Sequence, residues 1–238
     1  MSGRRLRHFL AGARDTIPMM VGAAPFGVIF GTLAGAGPLA LWHGQALSLF
    51  VFAGSSQFIA LGLVAGGAGL LLIWLTTFIV NLRHTLYAAN LLPHVAHLAA
   101  PWRWLLGFLL TDETFAVMAN HYAREPKDPL GEWYFLGSGL PMYLNWQAWT
   151  FAGLLFGASF PELSSYGLEF AMPATFIAIV VPQLKTRPRL AAALVAGLAA
   201  WLLRGLPYQL GLLAAVVAGV LVGLMLSRRA RRLEEERA

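Results

Sequence analysis

Apolar runs of about 20 residues recur along almost the whole chain, and a helix needs a run of about that length to cross a bilayer. Walking the sequence gives eight, at about 16–36, 46–66, 69–91, 103–121, 134–159, 166–184, 189–203 and 207–226. Only Gly66, Gly67 and Ala68 separate the second from the third, which makes that pair a tight hairpin. The seventh is short and bounded by Arg189 and Arg204, so a tilted, half-membrane or re-entrant segment would read the same way. Residues 1–15 then form an N-terminal segment, 16–226 a transmembrane domain and 227–238 a charged tail. The expected fold class is all-α, a polytopic transmembrane helix bundle of about 7–8 spans.

Composition closes off other classes. Of 238 residues, 58% are hydrophobic and only 12% are charged, about half the charge that coats a soluble domain. There is no Cys, which excludes disulfides, thiol catalysis and thiolate metal sites. No P-loop string is present, so the chain does not itself hydrolyse ATP through one. The net charge of +6 does not call for nucleic acid, because the basic residues sit at the chain ends and in short connections. There they face cytosol and anionic lipid. Arg4, Arg5, Arg7 and Arg14 ahead of an apolar stretch mimic a signal peptide. The stretch from Thr16 to Ala36 is longer than a cleaved h-region of about 7–15 residues, so it reads as an uncleaved first span.

Charge placement then orients the bundle. With both termini in the cytoplasm, Arg4, Arg5, Arg7, Arg14, Arg124, Lys127, Lys185, Arg187 and Arg189 fall inside, joined by five Arg of the tail. That is 14 of the 17 Lys and Arg, with Arg103 and Arg204 outside and Arg83 within a span. The excess of Lys and Arg expected on the cytoplasmic side is satisfied. Trp42, Trp102, Trp104 and Trp133 lie near span ends, where interfacial aromatics belong.

An internal echo is present. FAGSSQFIA (52–60) aligns without gaps to FAMPATFIA (170–178) with five identities, and Gly31 and Gly35 have counterparts in Gly153 and Gly157. Broken helices at equivalent places in two halves point toward a transporter's substrate site. The breakers here would be Gly54-Ser55-Ser56 and Pro173. A four-span unit would make the repeat parallel, and a re-entrant segment would make it inverted. The small-residue face Gly27-Gly31-Gly35 calls for a close helix neighbour, from this chain or from a partner, as does Gly219-Gly223.

Polar side chains at membrane depth are costly, so those present mark a site or a pairing. Arg83 lies about 21 Å up the third span and Asp112 about 13 Å down the fourth at the helical rise. If those spans are antiparallel neighbours, Arg83 with His84 and Asp112 with Glu113 reach one level, as coupling or gating residues. Ser55, Ser56, Gln57, Asn81, Asn145 and Gln147 join them in a polar layer, with Pro173 at the second breaker. Such a layer offers donors for a carboxylate, acceptors for an ammonium and an apolar wall for a side chain. The same amides could instead cap broken turns. Ser55 or Ser56 with His84 and Asp112 also has the residue types of a hydrolytic triad, so an intramembrane hydrolase is a further reading. A non-transporting scaffold or assembly subunit is another. His94 and His97 stand at metal-pair spacing, but beside Pro93 at an external span end they read as interfacial. No metal and no cofactor is expected.

Four strings together resemble the AzlC family, the large subunit of bacterial branched-chain amino acid exporters. FAGSSQF (52–58) is similar to its AGASQF segment, NLRHTLYA (81–88) to its RH-x-LY motif, LTDETFA (110–116) to its TDE-x-F motif and FAMPATF (170–176) to its apolar Pro motif. Ser55 and Thr175 depart from the usual Ala and Leu. The resemblance runs from Pro18 to about Val222. It implies a secondary transporter, not an enzyme, in the bacterial cytoplasmic membrane. The implied substrates are leucine, isoleucine and valine, with methionine a further candidate, and the direction is export. It also implies a small AzlD-type membrane subunit as partner. Proton coupling is an expectation from Asp112, Glu113 and the missing ATP motif.

Overall fold

The computed structural model describes residues 3–37, 41–159, 181, 184–206 and 210–235, and among these there is no strand. The helices are α1 (Gly3–Ala36), α2 (Leu41–Phe50), α3 (Gly54–Ala65), α4 (Leu70–Val95), α5 (Ala100–Phe108), α6 (Asp112–Arg124), α7 (Gly131–Ser159), α8 (Arg187–Leu202) and α9 (Leu210–Glu235). Pro173, the second copy of the echo and most of the sixth expected span lie outside the described residues.

The burial pattern inverts that of a water-soluble bundle. Leu71, Trp74, Phe78, Leu82 and Leu86 form an outward stripe down α4 at three- and four-residue spacing. Meanwhile Thr16, Ser48, Ser56, Gln57, Ser138 and Thr150 are fully buried. Hydrocarbon outside and satisfied polar groups inside is the arrangement a bilayer favours. Helices α1 and α4 are long and apolar enough to cross one. At 29 residues, α7 also has the length, roughly 44 Å at the helical rise.

Glycines set the backbone of the bundle. Gly12 packs against Tyr134, Gly27 against Trp149, Gly31 against Thr150 and Gly153, and Gly35 against Leu154 and Ala158. Positions rise together along both helices, so α1 and α7 run parallel, in contact over most of their length. The two GxxxG runs therefore meet each other: the neighbour that Gly27-Gly31-Gly35 requires is α7 of the same chain. A buried hydrogen bond from Thr16 Oγ1 to Ser138 Oγ, 2.6 Å long, reinforces the seam. In the same way Gly219 and Gly223 rest on Ala196 and Ala192, which makes α8 and α9 an antiparallel hairpin.

The second and fourth expected spans do not cross. Helix α2 starts beside the C-terminal end of α1, with Gly44 against Ala34 and Leu154. It descends until Ser48 meets Thr150 and Phe52 meets Tyr143. After the break at 51–53, α3 climbs back, with Phe58 against Phe30 and Leu61 clustered with Phe30 and Ala34. Helices α5 and α6 do the same from the opposite face. Trp102 starts near Trp133, Leu109 reaches Gly139, and α6 returns until Tyr122 stacks on His94. Both pairs are re-entrant hairpins whose tips touch through Phe52 and Phe108, ring centroids 6.2 Å apart.

Two crossing helices, each followed by one of these opposed hairpins, make an inverted repeat. One unit is α1 with α2–α3, the other α4 with α5–α6 running the opposite way. Helix α4 consequently runs parallel to α6, contrary to the antiparallel spans expected. Its C-terminal end, where His94 Nδ1 lies 3.1 Å from the Pro126 carbonyl oxygen, is on the face that carries the N-terminus of α1. Arg103, at the start of α5, belongs to that face too, so the positive side gains a residue.

The breaks leave backbone groups that need partners. The Ser48 carbonyl, orphaned where α2 ends, accepts the Gln147 amide N–H at 2.9 Å. The Leu49 carbonyl accepts the Tyr143 hydroxyl at 3.1 Å. Phe52, at φ 43, holds a left-handed backbone rare for a non-glycine. Replacing Gln147 by Leu is expected to lower stability by about 1–3 kcal/mol, because a buried carbonyl loses its donor. Unfolding in detergent should show the drop, and an unchanged midpoint would remove the capping role.

Candidate functional site

The two hairpin tips and the middle of the crossing helices enclose a cavity of about 470 Å³, within the ordinary range for small-molecule sites. Its polar wall comes from Ser55 on α3, Arg83, His84 and Tyr87 on α4, and Asp112 and Glu113 on α6. Its apolar wall comes from Pro18, Met19 and Phe26 on α1, Phe58 on α3, and Met142 and Trp146 on α7.

Arg83 bridges the two hairpins. Its Nη1 lies 3.0 Å from Asp112 Oδ2, and its Nη2 donates to Ser55 Oγ at 2.6 Å. Its Nε is buried without a hydrogen-bond partner. Tyr87 donates its hydroxyl to the other Asp112 oxygen at 2.5 Å, and its ring stacks on Phe115 at 4.4 Å. Glu113, the next residue on this wall, is half-buried.

The two half-helices present unlike ends. Helix α3 begins after Ala53, which supplies no side-chain cap, at the cavity that Gly54 and Ser55 line, and an uncapped helix N-terminus favours an anion. Helix α6 begins after Thr111, which caps Thr114 N–H, and carries Asp112 and Glu113 in its first turn. One tip is thus electropositive and the other anionic. Such an arrangement can take a zwitterion, an anionic group toward α3 and Arg83 and a cationic one toward Asp112 and Glu113, beside the apolar wall of Phe26, Phe58 and Trp146.

The expected site residues separate into two groups. Ser55, Arg83, His84, Asp112 and Glu113 line this cavity. Ser56, Gln57, Asn81, Asn145 and Gln147 do not. Ser56 donates to Asn81 at 2.5 Å, and both border an apolar groove between α3 and α4 on the far side of the hairpin. Gln57 is locked between Ser48 Oγ at 2.8 Å and Trp146 Nε1 at 3.0 Å. Asn145 ties α7 to the Met20 carbonyl of α1. Neither Ser55 nor Ser56 hydrogen-bonds His84, whose Nδ1 faces the Asn81 carbonyl at 3.2 Å. The nucleophile–base contact of a hydrolytic triad is therefore missing among the described residues. Tyr87 and Thr111 were not anticipated. The signal for Thr111 is in the sequence: Thr-Asp-Glu is an N-cap followed by an acidic first turn.

A helical membrane protein with two opposed re-entrant hairpins around a polar central cavity is the class that fold and site define. Residues 18–160 match the model of the AzlC protein family, and the chain belongs to that family. It is 29% identical to the inner membrane protein YgaZ of Escherichia coli, over 91% of this chain and 90% of the relative. An uncharacterized membrane protein of Helicobacter pylori is 33% identical over 76% of this chain and 79% of its own. The branched-chain amino acid transport protein AzlC of Bacillus subtilis is 28% identical over 71% and 65%. No solved structure matches.

Proposed function

We propose that the chain is a secondary transporter exporting branched-chain amino acids, with the cavity between the hairpin tips as its substrate site. The observation that carries this reading is the Arg83 bridge. It links one hairpin to the other at the point where a cationic donor, an uncapped helix N-terminus and two carboxylates converge on an apolar wall. In transporters with inverted repeats, discontinuous helices place such groups at the midplane, and rocking of one repeat against the other exposes them alternately. The name of the Bacillus relative supports the substrate class. Leucine, isoleucine and valine fit the apolar wall, with methionine next.

The face bearing the N-terminus is assigned to the cytoplasm, from the placement of Arg4, Arg5, Arg7, Arg14, Arg103, Arg124 and Lys127. Asp112 serves as the proton-carrying carboxylate: if Arg83 leaves it in one conformation, it can take up a proton there. A small AzlD-type subunit is the proposed partner, and the groove between α3 and α4, about 750 Å³ and lined by Leu71, Trp74, Phe78 and Val64, is open to receive an apolar helix.

Efflux of labelled leucine, valine and isoleucine from loaded cells tests the function. Expression of this chain with its small partner is expected to speed efflux, and no change would defeat the exporter reading. Full activity of the chain alone, purified in mild detergent, would defeat an obligate pair.

A further inference from the structure

At the face that carries the N-terminus, outside the cavity, residues distant in sequence converge. Asp128, in the turn between α6 and α7, has a side chain only 1% exposed. Its Oδ2 lies 2.9 Å from His121 Nε2. Its Oδ1 accepts the Leu130 N–H at 2.9 Å and lies 3.4 Å from His8 Nε2 on α1. Glu125, at the end of α6, brings a fourth group: one donor atom from each of His121, Glu125 and Asp128 lies within 4.8 Å of the other two.

His8 decides what the cluster can hold. Its Nδ1 is 2.9 Å from the Arg4 carbonyl oxygen. A carbonyl only accepts, so Nδ1 carries the proton of the neutral ring and Nε2 turns a bare lone pair toward a carboxylate oxygen. Two lone pairs facing each other repel unless a proton or a metal ion lies between them. Metal-bound imidazoles are held in this way, one N–H on a backbone carbonyl and the other nitrogen on the metal. The His121 ring is fixed as well, stacked on Tyr134 at 3.8 Å.

We propose that His121, Glu125 and Asp128 form a divalent transition-metal site, with His8 closing the shell from α1. Imidazole with carboxylate in a four-coordinate set suits Zn²⁺. Ligand atoms on a tetrahedral Zn²⁺ stand roughly 3.3 Å apart, given bonds of about 2.0 Å. The His121 Nε2–Asp128 Oδ2 separation, 2.9 Å, is near that value, and His8 Nε2 stands 3.4 Å from the other Asp128 oxygen. A metal here ties the base of the α5–α6 hairpin to α1, and so holds the element that carries Asp112 and Glu113.

The test uses the full chain with a non-histidine affinity tag, metal-stripped in detergent and titrated with Zn²⁺ by calorimetry. One equivalent should bind per chain, more weakly as pH falls, because protons compete for the same lone pairs. Co²⁺ in its place should show the visible absorption of a tetrahedral site. His8→Ala and His121→Asn should each weaken binding by at least roughly 100-fold, the loss that removing even an outer partner can cause. His8 sits partly exposed near the start of α1, so its removal spares the fold. His43→Ala, on α2 at the opposite face, should bind as the parent does. Absence of saturable binding, or parental affinity in His8→Ala, would overturn the site. Binding is measured without transport, so its failure and that of the exporter reading are separate results.

Discussion

Arg83→Ala alone is expected to damage the protein more than Arg83→Ala combined with Asp112→Asn. Removing the guanidinium leaves Asp112 charged at membrane depth with Tyr87 as its remaining hydrogen-bond donor, whereas the double change removes both charges. A sealed ion pair broken on one side costs about 3–5 kcal/mol. Here 42% of the Asp112 side chain is open to the cavity, so solvent screens part of that, and a coupling of about 1–2 kcal/mol is expected. Thermal unfolding of the four proteins in detergent measures it, and simple additivity would remove the pair. Arg83→Lys should recover little, since one ammonium cannot reproduce the fork that reaches Asp112 and Ser55 together. Transport separates a further role. Asp112→Asn should lose proton-driven accumulation while retaining part of substrate exchange, and equal proton coupling in variant and parent would eliminate Asp112 as carrier. Glu113, about 100° further around α6, is then the group to test.

A single methyl group at Gly31 or Gly153 should be among the most destructive changes in the chain. A Cβ at Gly31 would overlap the Thr150 carbonyl oxygen, and one at Gly153 would overlap that of Val28. In each case the obstacle is backbone, which cannot swing aside as a side chain can. The cost should reach about 3 kcal/mol, the upper part of the overpacking range. Gly107 and Gly197 are the controls: both are helical and have nothing within 4 Å of a Cβ. Ala there should be neutral or stabilise by up to about 1 kcal/mol through helix propensity. Detergent unfolding midpoints compare the four, and Gly31→Ala matching Gly107→Ala would mean that α1 and α7 do not meet as described.

Composition and the length of the apolar runs were enough to determine an all-α membrane bundle, because hydrocarbon requires both. The meeting of Arg83 with Asp112 was also legible, since charges that deep need partners. The reason given for it was not right: they meet because Asp112 opens a half-helix at a hairpin tip, not because two crossing spans run antiparallel. A re-entrant hairpin and a crossing helix of equal length have the same hydropathy. The charge test could not separate them either, because of the basic residues in the connections between α1 and α7 Arg103 alone changes side. Thr111-Asp112-Glu113 did carry a local signal of a helix start. The amides carried none. Gln147 caps a carbonyl 99 positions away, and Gln57 is held by Trp146, 89 positions away. Whether a buried amide faces a ligand or an orphaned carbonyl depends on which helix breaks beside it, and only tertiary packing decides that.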